Sequence, residues 1–284
     1  MSTLNCEVIQ ITARDGIALH TRVNRADQGR GTVLIHHGFA EYGQRYGHVV
    51  DPLVAAGWHV VTFDARGHGN SGGIPVFCKT FEEYVDDLAR VVADVKARLP
   101  GPLVLLGHSM GGLVVLRLLV DQPRVCDAAV LSNPALVNKV VIPAWKSLLA
   151  IGASRLAPGL QVPSGIPPTD ISRDPEQVKL YQEDPLVHKV ATARWYTSFI
   201  GAQAQVLARA ADLASVRILL LLGTGDRIID SARTRAFYEQ IPGNLHALQV
   251  YDGFYHELFN EPLADRQRVI ADLCAWLQQL PVVA

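Results

Sequence analysis

Short apolar runs recur along this chain, and segments with helical spacing separate most of them. Continuous apolar runs of this length are typical of strands that are buried on both faces, as in a parallel sheet. The runs occupy residues 32–36, 59–63, 103–106, 128–131, 217–222 and 247–251. Few architectures bury so many strands on both faces, and a sheet covered by helices on each side is the main one.

Helical segments lie between these runs. In residues 81–99 the apolar side chains recur at i, i+3, i+4 and i+7, and the segment stops at a Leu-Pro-Gly sequence, so it predicts an amphipathic crossover helix. Residues 110–120, 232–240 and 262–280 show similar spacing. Repeated strand-helix-strand order predicts right-handed crossovers and a doubly wound, mostly parallel sheet.

Two regions depart from this order. Asp15-Gly16 lies between residues 7–11 and 17–23, and this dipeptide favours a tight turn, so an antiparallel hairpin is expected at the N-terminal end. Residues from about 133 to 193 are rich in proline and show no clear strand. We therefore predict a core of residues 1–134 and 194–284, with residues 135–193 inserted as a cap or lid at the carboxyl edge of the sheet.

Composition excludes several function classes. The chain has 284 residues, 49% hydrophobic and 19% charged, with a net charge of −1 and scattered basic residues, which argues against a nucleic-acid surface or a polybasic membrane tether. Its four cysteines form no C-x-x-C pair, so neither a zinc site nor a disulfide framework is indicated. With no signal-peptide pattern and no long apolar segment, we expect a soluble cytoplasmic protein, with peripheral lipid contact left open.

The sequence GHSMGG at residues 107–112 contains the pattern G-x-S-x-G. It follows a predicted strand and opens a predicted helix, which is the setting of a nucleophile elbow. In such a turn small neighbours permit close packing while the serine hydroxyl is presented at the end of the sheet. Ser109 is therefore the candidate nucleophile.

A serine nucleophile needs a base and an acid that orients the base. Asp226 follows the strand at 217–222, and His256 lies in the loop after the last strand, so both converge on the sheet edge that carries Ser109. Asp230 and Asp252 are alternative acids, although Asp230 reads as a helix N-cap and Asp252 as part of the loop that holds His256.

Other histidines near these loops are expected to be structural or to line the substrate site. They are His36, His37, His68 and His108. The oxyanion of a tetrahedral intermediate needs two N–H donors. The backbone N–H groups of Met110 and Phe39 are the best candidates.

Five ordered motifs carry a resemblance to a known family. They are HHGFAEYGQRY (36–46), FDARGHGNSGG (63–73), GHSMGG, GTGDRIID (223–230) and YDGFYHELFNE (251–261). Together they resemble the monoacylglycerol lipase and lysophospholipase branch of the α/β-hydrolases, which is similar to serine aminopeptidases of the S33 type. The resemblance implies the α/β-hydrolase fold, the triad of Ser109, Asp226 and His256, and oxyanion donors at Phe39 and Met110.

The resemblance also implies a substrate. It suggests a cofactor-free and metal-free serine hydrolase that cleaves monoacylglycerol or a similar lipid ester, with Glu41 near the polar end of the substrate and His108 beside it. The match thins between residues 135 and 169, where the family sets its acyl-chain tunnel. Residues 140–156 are apolar with Trp145, and we expect either an interfacial lid helix or a helix packed over the core.

Other activities share these residues. A short-chain carboxylesterase, a thioesterase, a proline-releasing aminopeptidase or a perhydrolase could use the same triad. Dehalogenase and epoxide hydrolase chemistry is disfavoured, because those relatives have an aspartate in place of Ser109. A non-catalytic ligand-binding protein is the alternative from another class, although a pure binder needs no complete relay. Oligomeric state is not indicated by the sequence.

Overall fold

The computed structural model describes residues 6–139 and 144–280. An eight-stranded sheet forms its centre, in the strand order β1-β2-β4-β3-β5-β6-β9-β10. The strands of this sheet are β1 (Cys6–Thr12), β2 (Ala18–Asn24), β3 (Thr32–His36), β4 (His59–Phe63), β5 (Leu103–His108), β6 (Ala128–Ser132), β9 (Ile218–Gly223) and β10 (His246–Tyr251). The β1–β2 and β2–β4 pairs are antiparallel and the remaining pairs are parallel. The predicted doubly wound sheet with an antiparallel N-terminal hairpin is confirmed.

Helices cover the sheet and connect its strands. They are α1 (Gly47–Ala55), α2 (Glu82–Arg98), α3 (Met110–Asp121), α4 (Ala144–Leu156), α5 (Pro175–Glu183), α6 (Ala193–Leu207), α7 (Ser231–Tyr238) and α8 (Leu263–Gln278). Short 3₁₀ helices span Gly43–Tyr46, Pro168–Asp170, Ala210–Leu213 and Leu258–Asn260. The sequence analysis did not predict α1, α5 or α6, and in α1 the apolar pattern is interrupted by Pro52.

The core has two layers because successive strand residues point to opposite faces of the sheet. In β3, Leu34 belongs to the cluster that α2, α3 and α6 cover. Val33 and Ile35 belong to the cluster under α1 and α8. Each fully buried side chain of this kind contributes about 1.5–3 kcal/mol, so the continuous apolar runs are what fix the strands between two helical layers.

The stretch between β6 and β9 differs from the rest of the chain. It contains α4, α5 and α6 and a two-stranded antiparallel sheet of β7 (Gln161–Pro163) and β8 (Val190–Thr192). The expectation that residues 133–193 lack a strand was wrong. Both strands are three residues long and β7 is exposed, so no apolar run marks them. The division into a core and a cap at 135–193 stays a prediction.

The carboxyl ends of the parallel strands meet at one edge of the sheet. The residues that follow β3, β5, β6, β9 and β10 are therefore brought together, although they are far apart in sequence. All the sequence motifs singled out above, apart from 63–73 after β4, lie in these segments. Ligands of open α/β sheets bind at the carboxyl ends of the strands, so a functional site is expected at this edge.

Candidate active site

The turn between β5 and α3 is built around Ser109. This residue has φ +50° and ψ −118°, a conformation that costs a non-glycine residue about 1–2 kcal/mol. Close packing enforces it: a Cβ on Gly111 would lie 2.2 Å from the His36 carbonyl oxygen, and one on Gly107 would lie 2.6 Å from the Gly111 oxygen. The glycines of the motif are therefore required by steric contact, as the sequence predicted for an elbow.

Ser109, His256 and Asp226 form a continuous hydrogen-bonded chain. The Ser109 hydroxyl lies 2.8 Å from His256 Nε2. On the other side of the ring, Nδ1 lies 2.7 Å from Asp226 Oδ2. All three side chains are buried, with Ser109 7% exposed. The structure thus brings together the three residues that the sequence nominated, in the order nucleophile, base and acid that acyl transfer requires.

Asp226 is held by its own turn. Its Oδ1 accepts hydrogen bonds from the backbone N–H groups of Ile228 (2.8 Å) and Ile229 (2.9 Å), which leaves Oδ2 for the histidine. Asp252 instead accepts a hydrogen bond from the Thr224 hydroxyl at 2.8 Å, and Asp230 caps α7 by accepting from Arg233 N. Of the three candidate acids, Asp226 is the one in contact with the imidazole.

The environment of His256 sets its proton affinity. Burial by itself lowers the pKa of this imidazole, but the negative charge of Asp226 and its hydrogen bond to Nδ1 outweigh burial, so the net pKa is raised above 6.5. The ring can thus take a proton readily and stay neutral above its pKa. These are the properties of a general base.

Two backbone N–H groups lie beside the nucleophile. Met110 is the first residue of α3, so its N–H has no partner within the helix. Across residues 6–139 and 144–280, the structure gives no hydrogen-bond acceptor to the N–H of Met110 or of Phe39. The Phe39 loop also approaches Ser109 closely, since a Cβ on Gly38 would lie 3.2 Å from the Ser109 Cβ. Both groups predicted from the sequence as oxyanion donors are therefore free to donate.

Glu41 belongs to a buried ionic network that the sequence analysis did not foresee. Its Oε1 accepts from Gly38 N (2.6 Å) and from the Tyr46 hydroxyl (2.8 Å), and its Oε2 lies 2.5 Å from Arg45. Arg45 also binds both carboxylate oxygens of Glu257, at 3.0 and 2.8 Å. The network joins the loop after β3 to the residue that follows His256. The one signal in sequence was the spacing of Glu41 and Arg45 by four residues.

The charges of this network are stable. Burial by itself would raise the pKa of Glu41, but the charge of Arg45 and the Gly38 N–H hold it at about 2. Burial likewise opposes ionisation of Arg45, yet Glu257 and Glu41 raise its pKa well above the usual value. Glu41 therefore stays an anion at neutral pH and fixes the loop that carries the Phe39 N–H.

His108 lies against the base. Its ring centroid is 4.9 Å from that of His256, and its Nδ1 is 3.1 Å from the Ser132 carbonyl oxygen. Burial and the neighbouring His256 lower the pKa of His108 to about 4. The ring is neutral at pH 7 and donates from Nδ1, so Nε2 is left as an acceptor.

The other three histidines that the sequence analysis named bind the main chain. The Nδ1 atoms of His36, His37 and His68 lie 2.7–2.9 Å from the backbone oxygens of His37, Gly38 and Arg66 respectively. His37 Nε2 also accepts from Ala65 N at 2.8 Å. These contacts are structural, and the ring that hydrogen-bonds to the Ser109 hydroxyl is that of His256. Within the described part of the chain, no group of His, Cys, Asp or Glu side chains has the arrangement of a metal site.

An aromatic stack connects the site to α6. The Phe39 ring lies 4.3 Å from Trp195, which in turn stacks on Phe199 at 4.9 Å. Trp195 and Phe199 are both buried. The loop after β3 is thus packed on α6 through aromatic contacts.

Helix α4 packs against α6 and exposes its other face. Trp145, Leu148 and Leu149 are 60%, 69% and 64% exposed, and Leu156 is 90% exposed. The predicted segment 140–156 begins outside the described residues, at 140–143, and the remainder forms α4. Within residues 6–139 and 144–280, no helix is both long and apolar enough to cross a bilayer.

The chain is similar to known proteins in both sequence and structure. The family model described as serine aminopeptidase, S33, matches residues 27–263. A monoacylglycerol lipase from Mycolicibacterium smegmatis is 36% identical over 255 residues, which cover 87% of this chain and 88% of the relative.

Solved structures are similar over nearly the whole chain. The crystal structure of the Paleococcus ferrophilus monoacylglycerol lipase has a TM-score of 0.83 at 30% identity and covers 91% of this chain and 98% of that one. A soluble variant of the Saccharomyces cerevisiae monoglyceride lipase, in complex with a substrate analogue, has a TM-score of 0.84 at 21% identity, over 98% of this chain and 97% of that one. The second likeness bears on the fold alone, and the fold is that of the α/β-hydrolases.

Proposed function

The chain belongs to the serine aminopeptidase S33 family, a family of serine hydrolases, and we propose that it hydrolyses monoacylglycerol to fatty acid and glycerol through an acyl-enzyme on Ser109. The observation that carries the proposal is the unbroken chain of hydrogen bonds from Ser109 through His256 to Asp226. A serine hydroxyl is a weak nucleophile at neutral pH, and this arrangement supplies what it lacks.

In the first half of the reaction, Ser109 Oγ attacks the ester carbonyl and His256 Nε2 takes the hydroxyl proton. The carbonyl oxygen becomes an oxyanion, to which the N–H groups of Phe39 and Met110 donate. Asp226 Oδ2 accepts from Nδ1–H, so it fixes the tautomer and stabilises the imidazolium. When the intermediate collapses, the C–O bond to glycerol breaks and the imidazolium gives its proton to the leaving oxygen.

In the second half, water replaces the alcohol. His256 Nε2 takes a proton from water as the water oxygen attacks the acyl carbonyl, and the same two N–H groups stabilise the second oxyanion. Collapse returns the proton to Ser109 Oγ and releases the fatty acid. One base thus serves both steps, and no cofactor takes part in either of them.

The surroundings of Ser109 support a lipid-like ester with a polar alcohol. Glu41 and His108 lie next to Gly38, close to the nucleophile, and we assign them to the alcohol side. We assign the acyl chain to the side of the site that carries Phe39, whose ring packs on Trp195. The named activity of the relatives is the reason to prefer monoacylglycerol over a short ester or a thioester.

We also propose peripheral contact with a lipid surface through α4. Exposure of the apolar face formed by Trp145, Leu148 and Leu149 is unfavourable in water. Transfer of this face into the interface of a bilayer is favourable. Monoacylglycerol resides in such interfaces, so this contact would bring the site to its substrate. A cytoplasmic location stays a prediction from the sequence.

The test is a substrate series measured with the wild type and Ser109→Ala. The substrates are p-nitrophenyl esters from acetate to palmitate, monoacylglycerol and diacylglycerol, with glycerol release as the readout for the glycerides. We expect glycerol release from monoacylglycerol, and a loss of kcat on the order of 10⁶-fold in Ser109→Ala. Circular dichroism checks that the variant is folded.

Two results would contradict the proposal in different ways. Turnover retained by a folded Ser109→Ala protein would remove Ser109 from the mechanism. Wild-type activity confined to the shortest esters would keep the mechanism and change the substrate, and the protein would then be a short-chain carboxylesterase.

A further inference from the structure

The side chain of Asn133 lies between the two segments that carry the base and the acid. Asn133 follows β6 directly and is fully buried, at 0% exposed. Its Nδ2 donates to the carbonyl oxygens of Tyr255 (3.1 Å) and His256 (2.8 Å). Its Oδ1 accepts from Gly223 N at 2.9 Å, at the end of the strand before Asp226. One amide therefore ties the His256 loop to the Asp226 strand.

These three contacts require a side-chain amide at position 133. Two carbonyl oxygens require a donor and one N–H requires an acceptor, and a neutral amide supplies both within one side chain. A carboxylate could not donate to either carbonyl, and an apolar side chain would leave all three backbone groups unpaired in a buried place. Amide orientation is fixed by the same partners.

The backbone around Asn133 hydrogen-bonds to the backbone of Ser109, the nucleophile. Ser132 O accepts from Ser109 N at 3.0 Å, and Ala135 N donates to Ser109 O at 2.9 Å. Asn133 itself has φ +39°, in the left-handed region, which asparagine tolerates better than most residues. The turn at 132–135 thus contacts the backbone of the nucleophile while its one side-chain amide contacts the base loop and the acid strand.

We propose that Asn133 is a positioning residue for ester hydrolysis, which sets the His256 imidazole against both Ser109 and Asp226 by fixing the main chain of the base loop. The proposal rests on the proposed function above. Ser109 and His256 are 147 positions apart in sequence, and their 2.8 Å contact depends on how the loop after β10 is seated. Asn133 donates to the carbonyl of His256 itself, so it acts one peptide unit from the base.

A positioning role differs from a general packing role in its effect on proton affinity. If the base loop shifts, the contact between His256 Nδ1 and Asp226 weakens, and Asp226 is the group that raises the pKa of His256. The other ionisable groups that act on this ring are Glu257, Glu41 and His108, and Asn133→Gly changes none of their charges. Loss of the amide should therefore lower the pKa seen in the pH profile.

The experiment compares Asn133→Gly with the wild type and with Asn138→Ala. Glycine tolerates the left-handed backbone, so the first variant removes the amide without steric strain. Asn138 is the matched control, because it lies in the same segment but its Oδ1 accepts from Gln203 Nε2 on α6. For Asn133→Gly we expect kcat on a p-nitrophenyl ester to fall on the order of 10–100-fold, as for a misplaced catalytic group.

The separate effects on kcat and KM, together with the pH profile, identify the role of Asn133. In Asn133→Gly, KM should stay near the wild-type value and the acid limb of kcat/KM should move to lower pH. Asn138→Ala should leave kcat and the acid limb unchanged. Asn133→Ser, which keeps one hydroxyl donor, should lie between the wild type and Asn133→Gly in kcat.

A folded Asn133→Gly protein with wild-type kcat and an unchanged acid limb would overturn the proposal. A lower kcat with an unmoved acid limb would overturn it as well, since that pattern indicates packing alone. Where thermal unfolding shows that Asn133→Gly does not fold, Asn133→Ser applies the same criteria. Fluorophosphonate labelling of the wild type separates the two proposals: failure of Ser109 to label refutes the proposed function, whereas normal labelling with an unaffected Asn133→Gly refutes only the positioning role.

Discussion

The elbow at Ser109 and helix α4 are built in opposite ways. At the elbow, a single added methyl group on Gly111 would lie 2.2 Å from a backbone oxygen, and Ser109 is 7% exposed. On α4, a Cβ on Gly152 would meet nothing within 4 Å, and Leu148 is 69% exposed. The reacting groups are thus fixed by a packed sheet edge, whereas the surface proposed to meet lipid has room to change. Catalysis needs the first kind of structure, and substrate choice can be altered through the second.

After loss of the nucleophile, substitution of the acid Asp226 should cause the largest loss of kcat among changes in the packed region. Asp226→Asn keeps the shape but presents the wrong hydrogen-bonding pattern to Nδ1, so kcat should fall about 10⁴-fold. Asp252→Asn is the control, because its Oδ1 bonds the Thr224 hydroxyl and an asparagine oxygen can do the same. Steady-state kinetics on one p-nitrophenyl ester measures both. The reverse ranking would transfer the role of acid to Asp252.

A pair of glycine substitutions compares packing at the Ser109 elbow with packing on α4 through the free energy of unfolding. Gly111→Ala forces the start of α3 away from the main chain at the end of β3, where His36 O lies, and should lower the free energy of unfolding by about 3 kcal/mol. Gly152→Ala, in open space on a helix, should raise it by up to about 1 kcal/mol, since alanine favours helix more than glycine does. Urea denaturation gives both values. Equal effects from the two substitutions would mean that the elbow is no more tightly packed than α4.

The pH dependence of activity tests how Asp226 controls the base in the packed region. The base must be neutral to take the Ser109 proton, and Asp226 raises the pKa of His256 above 6.5 against the effect of burial. Activity should therefore be lost as pH falls, with the midpoint of the acid limb of kcat/KM above 6.5. His108 and Glu41, with pKa values of about 4 and about 2, titrate too low to set this limb. A midpoint below 6.5 would mean that Asp226 does not govern the base.

The smallest effect on soluble substrates should come from α4. Leu148→Ser with Leu149→Ser should leave hydrolysis of p-nitrophenyl acetate unchanged, because both side chains are mostly exposed. Binding to phosphatidylcholine vesicles, measured by co-sedimentation, should weaken about a hundredfold or more, given ~1.5–3 kcal/mol for each of the two leucines taken out of water.

Leu180→Ser serves as the control on a different helix, α5, where an apolar side chain has a similar exposure of 56%. Its vesicle binding should match that of the wild type. Equal losses in the two proteins would show that any exposed leucine contributes, and that α4 is no dedicated contact surface.

Much of the packed region could be predicted from the sequence. The runs at 32–36 and 59–63 coincide with β3 and β4, because strands buried on both faces leave continuous apolar runs. Ser109, Asp226 and His256 follow strands and lie next to turn residues, so topology alone brings them to one edge. Their contact distances could not be predicted, since these depend on how separate loops pack.

Several features that the sequence did not reveal were missed for a physical reason. Strands β7 and β8 are too short to leave a pattern, and Pro52 conceals α1. The bond of Arg45 to Glu257 and the bonds of Asn133 to the His256 loop join positions more than a hundred residues apart. Side chains that position catalytic groups carry no local signature, because their partners are backbone atoms or distant charges.

The most direct test of the central claim is covalent labelling of the wild type with a fluorophosphonate, with the adduct located by peptide mass spectrometry. We expect one adduct, on the peptide that carries Ser109, with a labelling rate that rises with pH as His256 loses its proton. An adduct on any other residue, or no adduct on a folded protein that still hydrolyses esters, would contradict that claim.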